Sequence, residues 1–435
     1  MSVKWHTSPV SMTEMGIYLD WTKNLQGTSY NLPFLYRLPE GTDLDRLSRA
    51  LERTLRVHPA LISRFRTEAD GSVSRMIPEA KDYPISIYRE TGEPELHTLV
   101  KPFTDPEGEL YRLHILQGAE HAYLFVDFHH IIYDGSSNPV FLRELNRAYA
   151  GEKLEGEGTT AADFARQERE ARGTDAFKHA AQWFEALLTD AEIISAPIHD
   201  HEHGEPKNAY LELPLDVEGS QVSQKAKRIG IKTSTFFTGA YGYLLSRFAG
   251  NREALYASVH SGRTPEIMRS LGMFAKTFPV LERFDLTERI DDHLRALNAQ
   301  LQGSRESGLF SYADCCDRFR LSIPTLFAYQ GEMDPETDFL GGKATPKLLQ
   351  SDDPKEEMVV EVFRQRGEYR LRISWRTDLF DRESMESFAS CYDQTLRELL
   401  VRETFGEVDI TSREQLNALD QFNDTAEVYP VEDIL

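Results

Sequence analysis

The chain has 435 residues, 40% hydrophobic and 28% charged, and its 71 acidic against 49 basic residues give a formal net charge of -22. That composition is of a soluble globular protein with room for two or three domains, and scattered Lys and Arg in a strongly acidic chain exclude a surface built for nucleic acid or anionic lipid. Apolar runs such as Tyr123 to Val126 are short and the N-terminus lacks an apolar signal region, so a cytoplasmic chain with no membrane span is expected, with Cys315, Cys316 and Cys391 reduced.

Met12 to Trp21 reads as a short helix capped by Ser11, with Glu14 in its first turn, and an extended segment follows at Tyr30 to Leu38. Leu44, Leu47, Leu51 and Leu55 recur on one face of a helix that Pro59 closes. Leu110 to Leu116 and Ala122 to Phe128 are strand-like runs around Gly118, and a helix is predicted from Pro139 with Asn138 as its cap. Gly151 to Thr160 is polar and glycine-rich, and a lobe boundary is placed just after it, near Arg172 to Thr174. In the second half, Thr233 and Ser234 are predicted caps of a helix through Phe248 that Gly250 stops, and Ala254 to Val259 reads as a strand. Met358 to Phe363 and Tyr369 to Trp375 flank Arg366-Gly367 as a hairpin, and Glu383 to Leu400 as a closing helix.

One stretch carries chemistry: Phe128-His129-His130-Ile131-Ile132-Tyr133-Asp134-Gly135-Ser136-Ser137 follows a strand and precedes a helix. A strand end is a rigid platform, histidine exchanges protons near neutrality, a carboxylate four residues on can orient the turn, and glycine permits a sharp bend. Backbone N–H groups around Gly135 are expected to face a developing oxyanion. His199, His201 and His203 alternate with acids and read as a polar loop rather than a metal site, so no metal is expected. Gly341 to Thr345 fails the phosphate-loop spacing and reads as a turn.

The stretch resembles the HHxxxDGxS motif of nonribosomal peptide synthetase condensation domains, with His129, His130, Asp134, Gly135 and Ser137 at the specified positions. Further family motifs are echoed in order by Ser11 to Tyr18, by His58, Leu61 and Phe65, by Ala162-Asp163-Phe164-Ala165, by Ser261-Gly262-Arg263 with Gly272 to Thr277, and by Pro324 to Gln330. The chain departs from these motifs at Glu14 (glutamine in the family), Gly16 (arginine), Pro59 (glutamate) and Lys276 (asparagine).

The resemblance implies an α+β fold of two chloramphenicol acetyltransferase-like lobes, a V-shaped pseudo-dimer with a tunnel between them. The lobes would span 1–172 and 173–409, and 410–435 resembles a linker toward an adenylation domain that is missing here. It implies amide formation between a donor acyl or peptidyl thioester and the amine of an acceptor aminoacyl thioester. Both would ride on 4'-phosphopantetheine arms of upstream and downstream peptidyl carrier proteins, with no cofactor bound by the domain itself. His130, Asp134 and Gly135 would form the catalytic centre, supported by His129, Arg263 and Ser137, with Arg263 paired to Asp134. The expected partners are those two carriers and the adjacent adenylation domain, with no nucleic acid or membrane, and the chain is expected to be a monomer.

Three other readings share these motifs. A stand-alone acyltransferase would use coenzyme A thioesters. A catalytically silent docking module is made more plausible by the departures at Glu14 and Lys276, and an epimerisation domain would carry a glutamate-containing stretch near Ser261-Gly262-Arg263, which is absent.

Overall fold

Leu47, Leu51 and Leu55 are fully buried on one face of the helix Leu44–Val57, whose cap Asp43 accepts the Arg46 amide at 2.9 Å. They pack in a computed structural model that describes residues 3–411 except 80–82, 93, 192–194, 203, 334–336, 345 and 350–352. Ser11 caps Met12–Trp21 in a reciprocal box with Glu14: the Glu14 amide donates to Ser11 Oγ at 3.2 Å, and the Ser11 amide to Glu14 Oε2 at 2.8 Å.

The fold is α+β, built on two main sheets. The first has five strands in the order Pro346–Leu348, Asn31–Arg37, Ala122–His129, Tyr111–Gln117 and Tyr88–Thr91. Ala122–His129 is central, and Leu124, Phe125, Val126 and Phe128 are all fully buried, because both faces of the sheet are covered. The register sets His129 opposite Asn31 at the end of that strand, where the chain turns into the motif. The second sheet has six strands, in the order Lys276–Arg283, Glu253–His260, Thr325–Glu332, Met358–Gln365, Glu368–Arg376 and Asn208–Pro214.

Two apolar cores follow from these sheets. One draws on residues from Ile17 to Leu154 together with Leu271, Met273, Phe339, Leu340 and Ala344; the other runs from Ala180 to Phe405. The halves interlock. Pro346–Leu348, from late in the chain, pairs antiparallel with Asn31–Arg37, and Asp353 Oδ2 accepts the Thr28 amide at 3.0 Å. Ala60, Ala161, Ile267 and Phe274 form a separate apolar cluster that also spans the two halves.

Some boundaries differ from the sequence reading. The helix predicted from Pro139 starts at Ser137, and Asn138 is no cap: its Oδ1 accepts the hydroxyls of Tyr36 and Tyr133 at 2.8 and 3.1 Å. Thr233–Phe248 has Lys232 at its cap position with no side-chain capping bond, while Thr235 Oγ1 donates to Asn298 at 2.9 Å. Gly341 lies in the turn of a hairpin between Thr337–Phe339 and Gly342–Ala344. Of the segment 410–435, all but Ile410 and Thr411 lies outside the described residues. Among the described residues no helix is long and apolar enough to cross a membrane.

The second core holds a charged group. Glu282 accepts the Tyr256 hydroxyl at 2.7 Å and faces His293 Nε2 at 2.9 Å, and it fits only because residue 242 of the covering helix is glycine: a Cβ there would lie 1.8 Å from its carboxylate. Burial pushes the Glu282 carboxyl up, whereas the bonds to Glu282 and Glu288 raise His293 against the opposite pull of its burial. Glu282→Ala is expected to cost about 3 to 5 kcal/mol, because it leaves His293 and Tyr256 without their buried partner. Urea unfolding checks this, and a loss below about 1 kcal/mol would contradict it.

Candidate functional site

His129 ends its strand facing inward. It is 1% exposed, and its ring packs against Trp21, Tyr30 and Phe103 with centroids 4.0, 5.7 and 5.6 Å away. Its Nδ1 accepts the Ile131 amide at 3.1 Å, and burial pushes its pKa well below the usual range, so the ring is neutral packing material.

His130 begins the turn and is only partly buried. Its backbone N–H donates to the Tyr30 carbonyl at 2.8 Å. Among the described residues Nδ1 is buried without a hydrogen-bond partner, whereas Nε2 is neither bonded nor buried, so Nε2 is the ring nitrogen open to approach. Burial lowers the imidazole pKa and the nearby Lys355 ammonium lowers it further, against Asp134 and the local backbone. The ring is therefore neutral at pH 7 and has a lone pair to offer.

Asp134 is held from both halves of the chain. Its Oδ1 accepts the Ser137 amide at 2.7 Å and Arg263 Nη2 at 3.0 Å; its Oδ2 accepts the Phe274 and Ala275 amides at 2.9 and 3.1 Å. Arg263 also donates to Ser137 Oγ at 2.8 Å and to the Ile267 carbonyl at 2.9 Å, and its guanidinium lies over the Phe274 ring. Ser137 Oγ in turn donates to the Gly272 carbonyl at 2.9 Å. Gly262 makes the approach possible: its φ is +62°, and a Cβ would lie 1.8 Å from the Phe274 carbonyl oxygen.

Gly135 departs from expectation. Its φ is not positive and a Cβ would meet nothing within 4 Å, so neither bend nor space requires glycine there. The neighbouring amides are partly committed as well: Ser137 N–H goes to Asp134, and Asn138 N–H to the Gly135 carbonyl at 3.2 Å. Those two groups do not point outward to an oxyanion.

Two of the departures from the family motifs, Glu14 and Lys276, have partners. Besides capping its helix, Glu14 is bonded to the buried Arg75. Lys276 Nζ donates to Glu168 Oε1 and the Gly308 carbonyl, both at 2.8 Å, and Glu168 Oε2 accepts the Met12 amide at 2.7 Å. Beside this bridge is a cavity of about 310 Å³ whose wall includes Ile17, Tyr30, His260, Lys276, Tyr312 and Lys355. His130 is not itself in the wall, but Tyr30, which holds its amide, is. Lys355 Nζ lies 5.2 Å from the Tyr30 ring centroid, and the Tyr30 hydroxyl donates to Asp20 at 2.8 Å.

The histidine-rich loop is tied down elsewhere. His199 Nε2 lies 2.9 Å from Glu357 and His201 Nε2 3.0 Å from Asp381, while His203 lies outside the described residues. No group of three potential metal ligands occurs among the described residues.

A family model described as Condensation domain matches residues 6–419. The chain belongs to the condensation domain family. This condensation domain is 25% identical over 98% of its length to tyrocidine synthase 2 of Brevibacillus parabrevis, of which it spans 12%. Among solved structures it is similar to the condensation domain of the monacolin K polyketide synthase MokA, with a TM-score of 0.77 at 18% identity, covering 93% of this chain and 99% of that one. It is also similar to the epimerization domain from the third module of tyrocidine synthetase B, with a TM-score of 0.74 at 16% identity, covering 91% and 98%. These likenesses establish the fold.

The sequence reading of this condensation domain missed His260, Glu168, Tyr30 and Lys355. His260 alone had a local signal. It ends the strand Glu253–His260 just before Ser261-Gly262-Arg263, and its Nδ1 accepts the amide two residues on, as His129 does. The others reach the cavity through long-range contacts that no spacing announces.

Proposed function

We propose that this condensation domain forms an amide between a donor acyl or peptidyl thioester and the amine of an acceptor aminoacyl thioester, both presented on phosphopantetheine arms of carrier proteins. The observation that carries the reading is the position of His130: a neutral imidazole with Nε2 open, on a turn whose aspartate is gripped from the other half of the chain.

The acceptor nitrogen bonds to the donor carbonyl carbon, and the C–S bond breaks as the tetrahedral adduct collapses. The amine proton passes to His130 Nε2 and then to the departing thiolate, so the products are an amide and a thiol. An α-amino group with pKa near ~8 and an imidazole are close enough in basicity for that exchange. His130 is the catalytic residue in this account; Asp134, Arg263 and Ser137 set its turn, and His129 packs beneath it. The partners are an upstream donor carrier, a downstream acceptor carrier and an adjacent adenylation domain, the chain acting as a cytoplasmic monomer with lobes 1–172 and 173–409. Glu14 and Lys276 are absorbed by structural bonds, which favours catalysis over silent docking.

The test is incubation with a donor-loaded and an acceptor-loaded carrier. An amide-linked product on the acceptor supports the reading; inversion of the donor stereocentre without transfer, or turnover of coenzyme A thioesters alone, would replace it.

The acid limb of the pH–rate profile follows from His130. Its pKa is lowered by burial and by Lys355, so beyond the loss of free acceptor amine below its own pKa of about 8, a further acid limb from protonation of the ring sets in only below pH ~6.5, as pH drops through that lowered value. Lys355→Ala is expected to move the limb upward toward ~6.5. Initial transfer rates between pH 5 and 8 check this, and an unmoved limb would contradict it.

A further inference from the structure

His260 lines the cavity but has no part in the reaction as described so far. It is partly buried at the end of its strand, with its ring centroid 5.5 Å from that of Phe278. Its Nδ1 accepts the Gly262 amide at 3.1 Å, so in the neutral ring the proton must sit on Nε2. Burial and the nearby charges of Arg305, Lys276 and Lys232 push its pKa down to about 4, which keeps the ring neutral near pH 7. Among the described residues Nε2 has no hydrogen-bond partner, and it is not one of the buried atoms left without one, so this fixed N–H donor is accessible on a residue that lines the cavity.

The surroundings select the ligand atom. The charges acting on His260 are all cationic, and Lys276, held by Glu168 and Gly308, shares the wall. A donor in that setting takes an electronegative oxygen rather than an ammonium. Both signs also line the wall: Glu168 is bonded to Lys276, and around Tyr30 the Lys355 ammonium lies over the ring while Asp20 accepts its hydroxyl and Glu356 lies 3.6 Å from Lys355, so carboxylates are present there to receive an amine. An aminoacyl thioester has both groups, an amine and, one carbon away, a carbonyl. The wall can hold the amine on the Tyr30 side, where His130 is anchored, and the carbonyl on the His260 side.

We propose that His260 is a substrate-binding residue whose Nε2–H donates a hydrogen bond to the carbonyl oxygen of the acceptor aminoacyl thioester. The assignment rests on the acceptor reading above, and it makes His260 a determinant of how the amine is presented.

Binding of two soluble probes to the full chain tests it without chemistry. Glycyl-aminopantetheine keeps the carbonyl in an amide that replaces the thioester, and S-(2-aminoethyl)pantetheine keeps the amine but has a methylene in place of the carbonyl. His260→Leu is expected to weaken the first probe roughly tenfold, and His260→Gln, which retains an N–H donor, to stay within about threefold of wild type. The second probe is expected to bind all three proteins alike. Because His260→Leu also removes the bond from Gly262, the unsubstituted protein gives an independent readout: with ¹⁵N-labelled histidine, the His260 Nε2–H signal should shift downfield with the first probe only. Equal affinity of wild type and His260→Leu for the first probe, equal losses for both probes, no measurable binding to wild type, or an unmoved His260 signal would each overturn the assignment. Absence of carrier-to-carrier transfer with this binding pattern intact would instead remove the condensation reading and leave the His260 hydrogen bond standing.

Discussion

His130→Ala is expected to lower carrier-to-carrier transfer by about 10² to 10⁴-fold at saturating substrate while leaving thermal unfolding nearly unchanged. The separation of the two effects follows from what the side chain touches. Its backbone bond to Tyr30 survives the substitution, and among the described residues the ring makes no side-chain hydrogen bond whose loss would strand a buried partner. Rates by mass spectrometry and unfolding by calorimetry read the two separately; a variant that keeps its rate within about threefold would make His130 structural. His129 cannot serve this purpose, because its ring is packed among Trp21, Tyr30 and Phe103 and its replacement would disturb them.

Asp134→Ala and Arg263→Ala are each expected to cost about 3 to 5 kcal/mol and to abolish transfer. The pair is almost wholly buried, with side chains 1% and 3% exposed, and each alanine leaves the other charge in the interior. For Asp134 the loss extends to the amide of Ser137 within the motif turn and to the amides of Phe274 and Ala275, the bonds that tie that turn to the segment after Gly272. For Arg263 it extends to Ser137 and the Ile267 carbonyl. The two losses are not expected to add: once one partner is gone, removing the second relieves an unpaired charge, so the double variant should be less unstable than the sum. Urea unfolding of the four proteins checks this, and additive losses, or either single variant retaining wild-type stability and rate, would contradict it.

Much of the fold was legible because its signals are local. The leucine spacing of Leu44–Val57, the Ser11 cap and the hairpin at Arg366-Gly367 each depend on a few neighbouring residues. The start of the helix after the motif was misplaced by two residues, because proline and asparagine suggest a boundary at Asn138 while the chain uses that asparagine to satisfy two buried tyrosines. The motif itself was readable as a spacing of histidines, aspartate and glycine. Its surroundings were not: the amides of Phe274 and Ala275, the Glu168–Lys276 bridge and the Asp353 link to Thr28 join residues more than 100 positions apart. In sequence Lys276 is a bare departure from the family's asparagine; its two acceptors, Glu168 and the Gly308 carbonyl, come from distant segments that no local pattern announces.

The most direct measurement is the intact mass of an acceptor carrier after a single turnover with a donor-loaded carrier and this domain. Two acceptors are compared, one with a free aminoacyl amine and one with that amine acetylated. A mass gain equal to the donor acyl group on the free amine alone, stable to a treatment that cleaves thioesters from both carriers, is the predicted result. No gain on the free amine with loading verified, or an equal gain on the acetylated acceptor, would contradict amide formation at this site.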